Sequence, residues 1–215
     1  MGSYAWYEYV PMYLPLLAAA LGFLLIMLTG WTGSSAFDHS VSISEMGAHE
    51  GASQVLFNLT LFMFLGPWAI VLCAHHMHMT TPHKISLYIY HLMATLLVLA
   101  YAMLIACPVS TYATTHTVFA CAYFVCTVVH MGLCAWLDTR SWDCGPWIRR
   151  IRLFFCGLAS TLLVILFYFY FDDSWMFVTL EYMLGFCFSV HILTFLPEFV
   201  CRFQPGIVLA IVVGC

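Results

Sequence analysis

Apolar residues along this chain fall in six nearly uninterrupted runs, with no period-2 alternation in any of them. The runs are Met12 to Trp31, Val55 to His75, Ser86 to Cys107, Thr115 to Trp136, Ile151 to Tyr170 and Trp175 to Leu196. Each is roughly 20 residues long, the length an α-helix needs to cross a bilayer. An outer-membrane barrel would alternate in ~10-residue segments instead. The pattern predicts an all-α, polytopic membrane protein: a six-transmembrane-helix bundle formed as one domain over residues 1–204. A short apolar tail, residues 205–215, is too short to span and is expected to lie at the interface or on the bundle. The first run is expected to be retained, because no Lys or Arg precedes it and it is longer than a signal-peptide core.

Composition agrees with the pattern. Of 215 residues, 64% are hydrophobic and 7% charged, against about 25% charged in a soluble domain. That excludes a soluble globular domain, a disordered chain and a secreted disulfide scaffold. A net charge of −4 argues against a nucleic-acid binder. The six basic residues give the orientation. Lys84, Arg140, Arg149, Arg150, Arg152 and Arg202 all fall on the side shared by the two termini, which the positive-inside rule places in the cytosol. The one long connector, residues 32–54, then faces the lumen or exterior. Cys121, Cys126, Cys134, Cys156 and Cys187 sit inside the runs and read as small apolar packing residues.

Ionisable side chains inside spans are costly and are the natural places to look for function. His91, His130 and His191 each lie five or six residues from the cytosolic end of their run, so they share one depth, roughly 8–9 Å inside the boundary. Such a layer suits a metal, a lipid phosphate, a proton relay or simple packing by hydrogen bonds. No span carries an HxxxH pair, so no metal is expected. His116 lies at the outer end of span four, Tyr123 one heptad below and His130 one further. At ~100° per residue the three share one helix face. Glu181, about 9 Å from the outer end of span six, is the carboxylate set deepest in a span. It needs an internal partner: His116, Tyr123 or the outer loop near Ser44. A His116–Glu181 pair would supply general acid/base catalysis toward a lipid ester; a structural hydrogen bond between the two spans is the alternative. His75, His76, His78 and His83 crowd the second, cytosolic loop.

The outer loop reads Ser40-Val41-Ser42-Ile43-Ser44-Glu45-Met46-Gly47, with Glu50 following. Span four carries Thr115-His116 and then Val129-His130-Met131. Span six opens Leu180-Glu181-Tyr182, with His191 late in it and Glu198-Phe199 after it. In order, topology and spacing these segments resemble the Frag/DRAM/Sfk family of six-span membrane proteins, above all its branch involved in GPI-anchor lipid remodelling. The resemblance extends from about Ser40 to Phe199. It implies a Golgi or endoplasmic reticulum protein that helps re-acylate lyso-GPI, as catalyst or essential helper. Its partners would be GPI or phospholipids, with no cofactor, with His116 and Glu181 catalytic and Ser42, Ser44, Glu45, Tyr123, His91, His130 and His191 in contact with lipid. A DRAM- or Sfk-like regulator in lysosome or plasma membrane is the first alternative. An accessory subunit bound to a membrane-protein partner is the second. The chain has no nucleophile elbow.

The orientation has a direct test. Membrane-impermeant thiol labelling should reach Cys144 and Cys201 from the cytosolic side; labelling from the outer side overturns the topology.

Overall fold

The computed structural model describes residues 84–141, 146–169 and 175–197, helical pieces at 16–24 and 65–72, and the single positions 13, 27, 43, 55, 58 and 61. Among these, only Cys107, Pro108 and Thr194 are not helical. Four complete helices, Lys84–Ala106, Val109–Ser141, Pro146–Phe169 and Trp175–Leu193, correspond to spans three to six. Each is long and apolar enough to cross a membrane. The pieces at 16–24 and 65–72 lie within spans one and two. The protein is an all-α polytopic membrane protein.

The helices extend beyond the apolar runs because hydropathy detects the hydrocarbon core and not the helical turns outside it. The apolar run of span four begins at Thr115, but its helix starts at Val109 and kinks at Tyr112. Pro108 has no N–H to continue span three, and its carbonyl accepts from the N–H groups of Thr111 and Tyr112 at 3.1 and 2.9 Å. Ser110 to Thr115 are all exposed, and His116 is the first buried residue beyond them. Span five starts at Pro146, the position where a missing N–H costs nothing. Arg149, Arg150 and Arg152 are therefore inside its helix.

Span three packs on span four, four on five, and five on six. Small residues permit the close approach: Ala94 and Ala100 on span three, Ala135 on four and Ala159 on five are all buried. Large apolar residues face outward, among them Leu96, Leu99, Val118, Val125, Val164 and Phe186. A soluble protein would hide such residues; a lipid-facing wall exposes them. Three serine and threonine hydroxyls donate to carbonyls one turn back in their own helix. Thr127 donates to the Tyr123 carbonyl at 2.7 Å, Ser160 to that of Cys156 at 2.7 Å, and Ser189 to that of Gly185 at 3.0 Å.

At mid-depth the bundle closes on Tyr123. Its ring lies 5.8 Å from Trp68, 5.3 Å from Tyr101 and 5.9 Å from Phe188. One side chain of span four thus meets spans two, three and six, largely through edge-on contacts of the kind aromatic pairs favour. Removing an aromatic side chain from such a centre costs about 3 kcal/mol or more. Tyr123→Ala should therefore sharply lower the melting temperature of the detergent-solubilised protein, whereas Tyr123→Phe, which keeps the ring, should leave it within a few degrees.

Candidate functional site

The polar residues of spans three to six form two separate layers, one on each side of the Tyr123 centre.

In the first layer, the one expected to face outward, His116 is buried and its Nδ1 lies 2.8 Å from the carbonyl oxygen of Cys107. The local sequence explains the pairing. Span three stops before Pro108, which leaves its last carbonyls without helical partners, and an imidazole at the start of the next helix takes one of them. A carbonyl only accepts, so Nδ1 holds the proton and, in the neutral ring, Nε2 presents its lone pair. Nε2 is buried with no hydrogen-bond partner among the described residues. Buried polar atoms are almost always paired, and a buried acceptor held in place from behind is suited to receive a ligand hydroxyl.

Glu181, also buried, accepts the backbone N–H of Ile43 through Oε2 at 2.9 Å. Ile43 itself packs against the apolar core. The carboxylate of span six thereby binds Ile43 of the connector between spans one and two, the contact expected near Ser44. Of the three partners expected for Glu181, the outer loop is the one the structure shows through Ile43, while His116 engages the orphan carbonyl of Cys107. Ser42, Ser44 and Glu45 lie outside the described residues, as do His75, His76, His78 and His83.

In the second layer, on the other side of Tyr123, His130 and His191 are buried with ring centroids 6.0 Å apart. Tyr90 stacks on His130 at 4.7 Å and meets His91 at 5.5 Å. The three histidines thus share a layer, but Tyr90 separates His91 from the other two. In its place stands Cys134, one turn below His130, whose Sγ lies 3.7 Å from His130 Nδ1 and 3.8 Å from Nε2. The described cysteines are all free thiols. The face of span four carrying His116, Tyr123 and His130 points inward, as its spacing predicts.

Arg152 belongs to this layer too. The sequence presents it as one more cytosolic charge, yet it is 0% exposed while Arg149 and Arg150 are exposed. Its Nε donates to Thr194 Oγ1 at 2.8 Å, its Nη2 to the Thr194 carbonyl at 3.1 Å, and its guanidinium lies 4.6 Å from the Phe195 ring centroid. The turn at Thr194 presents both acceptors. The signal was available in the chain: Arg152, Ala159 and Leu166 recur every seven residues, and all three are buried.

These features define a polytopic helical membrane protein with polar layers built into the bundle. The Frag1/DRAM/Sfk1/Cwh43P N-terminal domain model matches residues 8–200, nearly the whole chain, and the protein belongs to that family. No curated protein and no solved structure matches it.

The Arg152–Thr194 contact gives a stability prediction. Thr194→Val leaves a buried, charged donor short of an acceptor and should cost about 1–3 kcal/mol. Arg150→Leu, on the exposed face, should change stability by less than about 0.5 kcal/mol. Thermal melting of the purified variants compares them.

Proposed function

We propose that this protein serves GPI-anchor lipid remodelling in the Golgi or endoplasmic reticulum, as catalyst or essential helper of lyso-GPI re-acylation, and that it meets the lipid headgroup at the outer layer. Family membership and the motif order from Ser40 to Phe199 support the branch. The observation that carries the site is the buried Nε2 of His116, fixed in direction by the Cys107 carbonyl and without a protein partner among the described residues. Acyl transfer to a lyso-lipid needs a group that takes the proton of the attacking hydroxyl, and the free lone pair of a neutral imidazole can take it. Glu181 holds the loop through Ile43, and Ser42, Ser44 and Glu45 in that loop contribute headgroup contacts.

A second reading, a non-enzymatic DRAM- or Sfk-like regulator, draws on the backbone hydrogen bonds that both His116 and Glu181 make, since such bonds also suit a purely structural role.

Cells lacking the protein, scored for GPI-anchored proteins at the surface and for the lipids of their anchors, decide between the two. The null line should accumulate lyso or unremodelled anchors. His116→Asn keeps an N–H donor where Nδ1 stood and deletes Nε2, so it should reach normal protein levels yet lower re-acylation by about 100-fold if the ring is the base. Glu181→Gln keeps an acceptor for Ile43 and should fold; Glu181→Leu should express poorly. Unchanged anchor lipids in the null line reject remodelling and favour the regulator.

A further inference from the structure

In the second layer, His130, Cys134 and His191 are all buried and place one ligand atom each within 4.8 Å of one another. Two come from span four at i and i+4, which puts them on one face a turn apart; the third comes from span six. An ion bound at ~2.0 Å to nitrogen and ~2.3 Å to sulfur needs its ligand atoms roughly 3.5–3.7 Å apart. The Cys134 Sγ already lies 3.7 Å from His130 Nδ1. Closing the remaining gap takes rotamer adjustments of about 1 Å. The absence of an HxxxH pair loses its force here, because the pair on span four is His130-x3-Cys134.

We propose that His130, Cys134 and His191 form a binding site for a soft monovalent metal ion, Cu(I). Three features select the ion. Thiolate and imidazole together suit Cu(I) and Zn(II) among common metals. Zn(II) demands a fourth ligand, whereas three donors complete a trigonal cuprous site. Charge decides further. Cu(I) with one thiolate and two neutral imidazoles is a neutral unit, and Zn(II) with the same ligands carries a net positive charge. Arg152 already places a cation in this layer, against Phe195, whose ring is 5.1 Å from that of His191. A second net positive charge in so poorly solvated a region is costly. Binding forms one Cu–S and two Cu–N bonds and releases the Cys134 thiol proton, with no change in oxidation state. The bound ion ties span four to span six. The site is independent of the lipid reading, since it lies a bundle's depth away from His116.

The test uses the full-length protein in detergent under anaerobic conditions, titrated with Cu(I) against a chromogenic cuprous chelator. One equivalent should bind, and X-ray absorption at the copper edge should show one sulfur and two nitrogen neighbours. Copper should raise the melting temperature, because it binds the folded state. Cys134→Ser and His191→Gln should each weaken binding more than the 10–100-fold that loss of a mere supporting contact costs, while Cys121→Ser leaves it unchanged. Should the variants fail to fold, the wild-type absorption spectrum still decides. A copper environment without sulfur, or no copper retained against the chelator, overturns the site. Tighter retention of Zn(II) than of Cu(I) overturns the choice of ion.

Discussion

The hydrocarbon interior of a bilayer offers no water to a polar atom, so every polar group that enters it must find its partner within the protein. The arrangement of this bundle follows from that requirement. Arg152 spends its guanidinium on the hydroxyl and carbonyl of Thr194. His116 takes the Cys107 carbonyl that Pro108 leaves open. Glu181 takes the Ile43 N–H of the outer loop. Each bond joins chain segments that apolar packing alone would leave free to slide. In lipid such bonds are individually worth only about 0.6 kcal/mol on average, because the separated helices also find partners. Their larger effect is on register, since a helix displaced by one turn strands a charge or a carbonyl.

Apolar packing supplies the rest. Tyr123 gathers Trp68, Tyr101 and Phe188 around one point, and buried alanines let the backbones close in around it. The same span that carries this centre carries His116 above it and His130 below. One inward face of one helix therefore places a polar group in each layer and sets the distance between them.

Much of this was legible in the sequence because membrane burial leaves a coarse signal. Apolar runs of span length located the helices, and heptad spacing located the inward face of span four. Glu181 could be expected to reach the outer loop because a carboxylate at that depth requires a donor. What escaped did so for physical reasons. Helical turns beyond the hydrocarbon, such as Val109 to Tyr112, carry no hydropathy signal. Arg152 was counted as a topological charge because charge content does not distinguish an arginine facing the interface from one turned inward; only its seven-residue spacing to Ala159 and Leu166 does. Cys134 reads as packing in the sequence because thiols in spans are common, and its neighbour His191 is remote in sequence. The partners of His116 and Glu181 depended on which backbone groups were left unpaired nearby, a property of helix ends in three dimensions.

The two polar layers are electrostatically almost independent, and distance shows why. His116 and His130 are fourteen residues apart on one helix, about 21 Å along its axis. At an effective dielectric of 20, two unit charges so spaced interact by about 0.8 kcal/mol, too little to shift either site by even a factor of ten. Electrostatic communication between the layers is therefore weak. Any coupling between them passes through the Tyr123 packing centre, as a displacement of span four against spans two, three and six. A rigid aromatic centre resists such displacement. The inward face of span four thus carries His116 at one level and, at another, the His130 and Cys134 of the His130–Cys134–His191 cluster, on one frame.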